Sequence, residues 1–286
     1  MEYSKNTAKF IRSLKDKKAR DESGLFVVEG EKLVEEALRS GWAVEAVFST
    51  KELAGPDGHR AQALRSGDPT ITAGRSSGED NWSGEAAGRP EPQRVTAAEM
   101  EKMSLLTSPS PCLALVRKPQ APANLSALIQ ASPLALALDG VRDPGNLGTI
   151  LRLADWFGID AVFVSDESGR YPACDIFNPK VVQATMGAIF RRKVFSAPLP
   201  DLADAFIAEG MQVYGTFLDG ENIYGQVLEA KGLIVMGNES EGVSPEVAAK
   251  VTRRLFIPPF PAGSVTSESL NVATATAITL SEFRRR

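Results

Sequence analysis

Three segments in the second half of the chain place polar side chains and glycines directly after apolar runs. They are DGVRDPGNLGTILR at 139–152, GLIVMGNESEG at 232–242 and IPPFPAGSVTSESLNVATATAITL at 257–280. If the apolar runs are strands of an open α/β sheet, a ligand is expected beyond their carboxyl ends. These segments are therefore the candidates for a binding or catalytic site.

The first segment combines a turn with a helix that carries an arginine. The Asp-Pro-Gly run at 143–145 predicts a turn, and Asn146 is a suitable cap for the helix that follows. Arg152 lies two turns into this helix, where its guanidinium could face a phosphate or a ribose. An exposed arginine paired with Asp155, three residues further on, explains the segment equally well. No G-K-[ST] follows the glycines, so the segment is not a P-loop.

The second and third segments also have two interpretations each. Two acids and two glycines follow the apolar strand in the second segment, which suits a ligand site as well as a solvent loop. In the third, Ser269 and Asn271 lie near the start of a helix of small residues, where side-chain oxygens and free amides can gather around a substrate. A capped and tightly packed helix accounts for the same residues.

Composition excludes several kinds of chemistry. His59 is the single histidine and lies in GPDGHR, a stretch typical of an exposed turn. A Ser-His-Asp triad or a histidine-rich zinc site is therefore effectively excluded. Cys112 and Cys174 fit no metal or redox spacing and are expected to be reduced thiols of a cytoplasmic protein. No apolar run approaches the roughly 20 residues of a membrane helix, and the charged start does not resemble a secretory signal.

Positive charge is concentrated at the start of the chain. The net charge is −4, yet the first twenty residues carry +5, so the remainder carries −9. Such a basic patch is suited to binding RNA phosphates, although a merely solvated basic helix would have the same composition. The candidate RNA-binding residues are Lys9, Arg12, Lys15, Lys17, Lys18 and Arg20.

The order of apolar segments predicts two α/β domains. Residues 1–118 contain strand-like and helix-like segments around a stretch at 55–93 that is rich in Gly, Ser, Pro, Asp and Glu and is predicted to be a flexible insertion. Prolines mark 119–132 as a linker. From 133 to 286 strands and helices alternate, which predicts a parallel sheet covered by helices.

Taken together and in this order, the three segments resemble the three motifs of the SpoU (TrmH-like) family of RNA ribose 2′-O-methyltransferases, in the SPOUT superfamily. The matching residues are Asn146 with Arg152, the Gly-Asn-Glu run at 237–239, and the Ser-Leu-Asn run at 269–271. The N-terminal text LKDKKARDESGLFVVEGEKLVEEAL resembles that family's substrate-binding domain, a small α/β fold similar to certain ribosomal proteins. The connection PPFPAGSVTSE is longer than the family's usual one.

The resemblance implies a cofactor, a fold and an assembly. Members of the family bind S-adenosyl-L-methionine largely through backbone groups, in a domain that carries a deep trefoil knot and forms a homodimer through it. The positions that match the cofactor site are Gly237, Ile257 and Leu270, with the loop at Thr216 nearby. No metal is required.

The resemblance also implies the reaction, which is methyl transfer to a ribose 2′-hydroxyl. The implied catalytic residues are Asn146, Arg152, Glu239, Ser269 and Asn271. The family's arginine is held to remove the hydroxyl proton, but because arginine is normally always protonated, a phosphate clamp that polarises the hydroxyl is an equal alternative. Glu239 is expected to orient Arg152, and the other three to hold Arg152, ribose or cofactor.

Other functions remain as alternatives. A non-catalytic RNA-binding protein with the same fold would show substitutions at Arg152, Glu239 or Asn271, and all three are present. A Rossmann dehydrogenase would need a G-x-G-x-x-G turn, which is missing. Ribosomal RNA is favoured over transfer RNA as the substrate because of the N-terminal domain.

Overall fold

A computed structural model describes residues 1–51, 90–120, 124–261, 264 and 269–285. His59, most of the predicted insertion and most of the PPFPAGSVTSE connection lie outside these residues. The chain divides into two compact units, Met1–Pro119 and Gln120–Arg286. In the described part of the chain, no helix has the length and apolar character that a membrane crossing requires.

The first unit is a four-stranded sheet with helices. The elements are α1 (Lys5–Ser13), α2 (Lys17–Ser23), β1 (Leu25–Glu29), α3 (Glu31–Arg39), β2 (Val44–Ser49), β3 (Gln93–Arg94), α4 (Ala97–Met103) and β4 (Cys112–Arg117). The strand order is β1-β4-β2-β3, in which β4 runs antiparallel to both neighbours and β3 is parallel to β2. Gln93, which was predicted to end the insertion, instead begins β3, and its side chain accepts a hydrogen bond from the Tyr3 amide.

Helix α1 presents one apolar and one basic face. Ala8 and Ile11 are buried in a core that also contains Phe48 of β2 and Met100 of α4. The basic side chains Lys5, Lys9 and Arg12 are exposed. They recur at intervals of four and three residues, which places them on one face of the helix. The core contacts therefore fix the orientation of a positively charged outer face.

Arg20 differs from the other basic residues, and its prediction as an RNA contact was wrong. Its side chain is 1% exposed, and its guanidinium donates hydrogen bonds to the carbonyl oxygens of Leu14 and Lys15, both at 2.7 Å. These two residues lie in the turn between α1 and α2. Arg20 is thus a structural residue of this turn.

The second unit is a six-stranded parallel sheet with helices, which confirms the predicted parallel α/β fold. The strands are β5 (Leu134–Leu138), β6 (Ala161–Ser165), β7 (Lys193–Ala197), β8 (Val213–Asn222), β9 (Gly232–Met236) and β10 (Arg253–Phe256). Their order in the sheet is β10-β8-β9-β5-β6-β7. Every residue of β5, β6 and β9 is buried, so both faces of the central sheet are covered. The helices are α5 (Leu125–Gln130), α6 (Pro144–Trp156), α7 (Pro179–Ala184), α8 (Leu199–Ala208), α9 (Pro245–Ala248) and α10 (Val272–Arg284).

One element of this unit differs from the sequence-based prediction: helix α5 lies in the segment predicted as a linker. Helix α7 ends at Ala184, after which Met186 and Gly187 adopt φ values of 48° and 90° and the chain continues as a 3₁₀ turn at Ala188–Phe190. Helix α10 begins at Val272 and is capped by Asn271.

Replacing Arg20 by methionine should loosen the α1–α2 turn. The change removes two hydrogen bonds donated by a charged group and leaves the carbonyls of Leu14 and Lys15 without this donor. It should lower the free energy of unfolding by about 3 kcal/mol. Lys18→Met is the matched control, because Lys18 is exposed and should change stability by less than about 0.5 kcal/mol. Hydrogen–deuterium exchange of residues 5–23 tests this; equal protection in the two variants would contradict the structural role of Arg20.

Candidate functional site

The first motif forms the start of helix α6. Asp143 is its N-cap, and the Asp143 carboxylate accepts a hydrogen bond from the Asn146 amide at 2.7 Å. Asn146 is therefore not the cap that the sequence suggested. Because Asp143 caps the backbone, the side chain of Asn146 is free to bond to other segments of the chain.

Asn146 joins the three motifs by hydrogen bonds. Its Nδ2 donates to Oε1 of Glu239 at 2.5 Å, and its Oδ1 accepts from Nδ2 of Asn271 at 3.0 Å. Glu239 lies 93 residues after Asn146 and Asn271 lies 125 residues after it. The structure thus brings three of the five predicted catalytic residues into one hydrogen-bonded set.

Helix α10 fixes this set by bonding to α6 at both ends. Asn271 caps α10 through its Oδ1, which accepts from the amides of Ala273 and Thr274. At the other end, Arg284 Nε donates to the carbonyl oxygen of Phe157 at 2.8 Å, just beyond α6. The two helices also pack against each other along their length. Helix α6 is consequently held in one position relative to the third motif.

The loop at 237–242 carries Glu239 and is tied to β5. The side chain of Asn238 donates to the Gly140 carbonyl at 2.7 Å, and the buried carboxylate of Asp139 accepts from the Ser244 amide at 2.7 Å. Burial raises the pKa of Asp139, against the opposing effect of its hydrogen bonding with Ser244. A side chain at Gly237 would place its Cβ only 2.3 Å from the Gly242 carbonyl carbon. A side chain at Gly237 would therefore require the loop to move.

Arg152 lies on helix α6, which also carries Asn146. It is exposed and forms no hydrogen bond or ion pair with any residue that the structure describes. The alternative pairing with Asp155 is wrong, because Asp155 binds Arg191 and Arg192 at 2.9 and 2.8 Å. The expected role of Glu239 in orienting Arg152 is also not observed, since the side-chain bond of Glu239 goes to Asn146.

Two other residues of the three segments have different surroundings. Ser269 is exposed and lies two residues before the Asn271 cap. At Gly148 a Cβ would lie 2.3 Å from Cβ of Ala184, so this glycine allows α6 to pack against α7. Close approach at Gly148 is thus a requirement of helix packing.

The four positions predicted for the cofactor lie along three neighbouring strands and the third motif. Gly237 follows β9 and Ile257 follows β10 directly, whereas Thr216 lies within β8, with its Oγ1 3.8 Å from Sδ of Met236. Strands β9, β8 and β10 are adjacent and parallel, so these residues are on the carboxyl side of one part of the sheet. Leu270 is 44% exposed. Three of the four predicted positions therefore lie on one side of the sheet, and the fourth, Leu270, lies in the third motif.

Arg254 is a residue of this region that the sequence did not indicate. Between β8 and β10 the pairing shifts, so that Gly215 lies opposite Arg254 while Glu221 lies opposite Leu255. Arg254 holds the intervening residues, because its guanidinium lies 3.5 Å from the ring centroid of Phe217 and 2.6 Å from Asp219. No sequence pattern signals this clamp, since it depends on the register between two strands.

Among the residues that the structure describes, no group of three or more His, Cys, Asp and Glu side chains is arranged to hold a metal ion.

Comparison with known proteins identifies this arrangement. Residues 133–281 match the SpoU rRNA Methylase family, and residues 5–114 match the MRM3-like substrate binding domain. The chain belongs to the SpoU rRNA methylase family.

One named relative and two solved structures match this chain over nearly its whole length. It is 32% identical over 286 residues to the 23S rRNA (guanosine(2553)-2′-O)-methyltransferase RlmP of Bacillus subtilis, covering 99% of this chain and 98% of that protein. The structure of a TrmH-family protein from Porphyromonas gingivalis is 36% identical with a TM-score of 0.77, covering 100% and 99% of the two chains. An AdoMet-bound rRNA methyltransferase from Sinorhizobium meliloti is 29% identical with a TM-score of 0.75, covering 98% and 94%.

Replacing Gly237 by alanine should displace the loop that carries Glu239. Because the new Cβ would overlap backbone atoms, the loop must shift, at a cost of about 1–3 kcal/mol. Gly225→Ala is the control, as its Cβ would have no heavy atom within 4 Å. Thermal unfolding of both variants tests the prediction, and an unchanged Tm for Gly237→Ala would show that the loop adapts freely.

Proposed function

We propose that the protein transfers a methyl group from S-adenosyl-L-methionine to a ribose 2′-hydroxyl of ribosomal RNA. The observation that carries this proposal is the hydrogen-bonded set of Asn146, Glu239 and Asn271, together with Arg152 on the same helix as Asn146. Arg152 is exposed and has no ion pair with any residue in the described part of the chain. Three segments converge on this set, and they are the three that resemble the family motifs.

Full-length similarity supports the same reaction. The match to RlmP covers both chains almost completely, so the substrate-binding and catalytic parts of that 23S rRNA methyltransferase have counterparts here. The N-terminal match to the MRM3-like substrate binding domain favours ribosomal over transfer RNA. A non-catalytic protein with this fold is disfavoured, because Arg152, Glu239 and Asn271 are all present.

The residues at the carboxyl side of β8, β9 and β10 suit the proposed cofactor. A nucleoside needs apolar surface for its base and backbone groups for its polar edges, and we assign these to Leu270 and to the backbone at Thr216, Gly237 and Ile257. The clamp of Arg254 on Phe217 and Asp219 would hold the part of β8 that follows Thr216 in place. The cofactor supplies a methyl group on a sulfonium, an excellent leaving group.

The protein must then position the 2′-hydroxyl and assist loss of its proton. Arg152 is exposed and has no competing carboxylate among the described residues, so its guanidinium is available to bind the phosphate beside the ribose and polarise the hydroxyl. Asn146 is held by Glu239 and Asn271, and it is available to orient the ribose from a fixed position. We assign Ser269, beside Leu270, to the same substrate pocket.

We further propose a cytoplasmic homodimer formed through a knotted second unit. The exposed apolar side chains of Trp156, at the end of α6 and 85% exposed, and of Met186 support an interface on this side. Sedimentation of Trp156→Glu as a monomer, with the unchanged protein as a dimer, would support it. A monomeric unchanged protein would contradict the proposed dimer. An experimental backbone trace of residues 133–286 would test the proposed knot.

Arg152→Ala should reduce the rate of methyl transfer at least about a hundredfold while leaving cofactor affinity within a few-fold, because Arg152 is on α6 and not on the strands assigned to the cofactor. Arg152→Lys keeps the charge but loses the bidentate fork, so partial activity would indicate a phosphate clamp. Methyl transfer from labelled cofactor and calorimetry provide the two readouts.

Lys231→Ala, an exposed cation at the amino end of β9, is the control for Arg152. Full turnover by Arg152→Ala would remove Arg152 from the catalytic set. If the unchanged protein produces no heat with S-adenosyl-L-methionine, the proposed function itself is wrong.

The basic residues of α1 and of the turn that follows it should contribute more to RNA affinity than those of α2. Lys9, Arg12 and Lys15 form no ion pair among the described residues, whereas Lys17 and Lys18 lie 2.6 and 3.8 Å from Asp21 and Glu22. Replacing the first three by Gln should weaken RNA binding and flatten its salt dependence, since fewer counterions are released. The control, Lys17→Gln with Lys18→Gln, should have a smaller effect.

Filter-binding titrations at several salt concentrations distinguish the two α1–α2 variants. Cofactor affinity should be unchanged in both. Overlapping curves for the triple variant and the unchanged protein would show that α1 is only a solvated basic helix.

A further inference from the structure

Two more arginines lie beside the catalytic set, which comprises Asn146, Arg152, Glu239 and Asn271. They are found at the carboxyl ends of β5 and β6. Arg142 immediately precedes the Asp143 cap of α6, and Arg170 and Tyr171 lie in the segment after β6. The guanidinium carbons of Arg142 and Arg170 each lie 5.7 Å from the centroid of the Tyr171 ring. At this distance both cations are attracted by the ring electrons. One aromatic side chain therefore brings together two arginines from different segments.

The position of Tyr171 is fixed by contacts on several sides. Its carbonyl accepts a hydrogen bond from Oγ of Ser165, which in turn accepts from the Gly140 amide. Gly140 has a φ of +74°, and a Cβ at this position would lie 2.6 Å from Cβ of Tyr171. The Tyr171 hydroxyl donates to Glu241 at 3.2 Å. The ring is thus anchored to β5, to β6 and to the 237–242 loop that carries Glu239.

Nearby carboxylates are bonded to the protein, whereas the arginines remain available. Asp143 accepts from the Asn146 amide, Glu239 from the Asn146 side chain and Glu241 from Tyr171. Arg142 is exposed and has no ion pair among the residues that the structure describes. Among the described residues, Arg170 forms one ion pair, with Glu246 at 3.8 Å, and both side chains are more than half exposed, so this pair is weak. Arg170 also donates a hydrogen bond to the Tyr171 side chain, which, together with Glu246 and Glu241, raises the pKa of Arg170.

The acids at this edge create a problem for a polyanionic substrate. Glu239, Glu241 and Asp143 would repel a phosphate that approaches the catalytic set, and the repulsion must be offset by cations close by. Arg152 is one such cation, and it is already assigned to the phosphate beside the reacting ribose. Arg142 and Arg170 are further exposed cations that the Tyr171 ring holds close to the carboxylates of the 237–242 loop.

We propose that Arg142 and Arg170, gathered by Tyr171, form a binding site for a phosphodiester of the RNA strand that flanks the methylated nucleotide. This proposal rests on the proposed function, because it requires an RNA strand at the catalytic set. Two planar guanidiniums can each donate two hydrogen bonds to phosphate oxygens. The site binds backbone, so it increases affinity for RNA and does not select a base.

Arg142→Gln, Arg170→Gln and the double variant test this site in the full-length protein. Removing each charge should raise the Kd and the KM for RNA about tenfold, the loss expected for a hydrogen bond from a charged group. The slope of log affinity against log salt should fall by about one for each contact. The value of kcat should stay within twofold, because neither arginine touches the reacting atoms.

Two further variants make the result specific. Arg142→Lys should restore the salt slope but only part of the affinity, since the charge returns without the fork. Lys231→Gln, which removes an exposed charge at the amino end of β9, is the matched control and should bind RNA with an unchanged salt slope. Circular dichroism and S-adenosyl-L-methionine affinity should equal those of the unchanged protein in every variant.

The possible failures are distinguishable. If the unchanged protein methylates RNA and the double variant has the same RNA affinity and salt slope, the phosphodiester site is wrong and the proposed function stands. A loss of kcat with an unchanged KM would also overturn it, in favour of a role in the reaction. If the unchanged protein neither binds the cofactor nor methylates RNA, the proposed function fails first.

Discussion

The side-chain amide of Asn146 is the contact on which the site depends. It donates from Nδ2 to Glu239 and accepts at Oδ1 from Asn271, so both ends of one amide are used. A carboxylate of the same shape could accept the bond from Asn271 but has no N–H to donate to Glu239, and a hydroxyl would not span the two partners. This amide connects three segments that are far apart in the chain, and the third of them begins a helix.

Several features of the second unit follow from this contact. Asp143 must cap α6 so that the Asn146 side chain can point away from its own backbone. Helix α10 must lie close enough for Asn271 to reach Asn146, and the bond from Arg284 to Phe157 holds its other end. The 237–242 loop must be compact to present Glu239, which is why Gly237 tolerates no side chain. All three motifs are therefore needed to build the same hydrogen-bonded set.

The sequence predicted the strands of the second unit and the three site segments, because buried parallel strands are short apolar runs and polar residues after them are unusual. It did not predict which polar residue does what. Asp143 and Asn146 are both good caps, and only the tertiary contact of Asn146 decides between them. Arg20 carries the same charge as its neighbours, and its burial follows from the path of the turn that it braces. The shift between β8 and β10 depends on pairing, which no single segment encodes.

The charges of the site also have a clear division. Its carboxylates accept hydrogen bonds from protein groups, Asp143 from an amide, Glu239 from Asn146 and Glu241 from Tyr171. Among the described residues, Arg142 and Arg152 have no carboxylate partner, whereas Arg191 and Arg192 further along the fold share Asp155. An arginine already paired to a carboxylate would have to break that pair before it could bind a phosphate. At this site the acids position neighbouring groups, Arg142 and Arg152 have no carboxylate partner among the described residues, and Arg170 has only an exposed pair with Glu246 at 3.8 Å. This arrangement suits the binding of RNA phosphates.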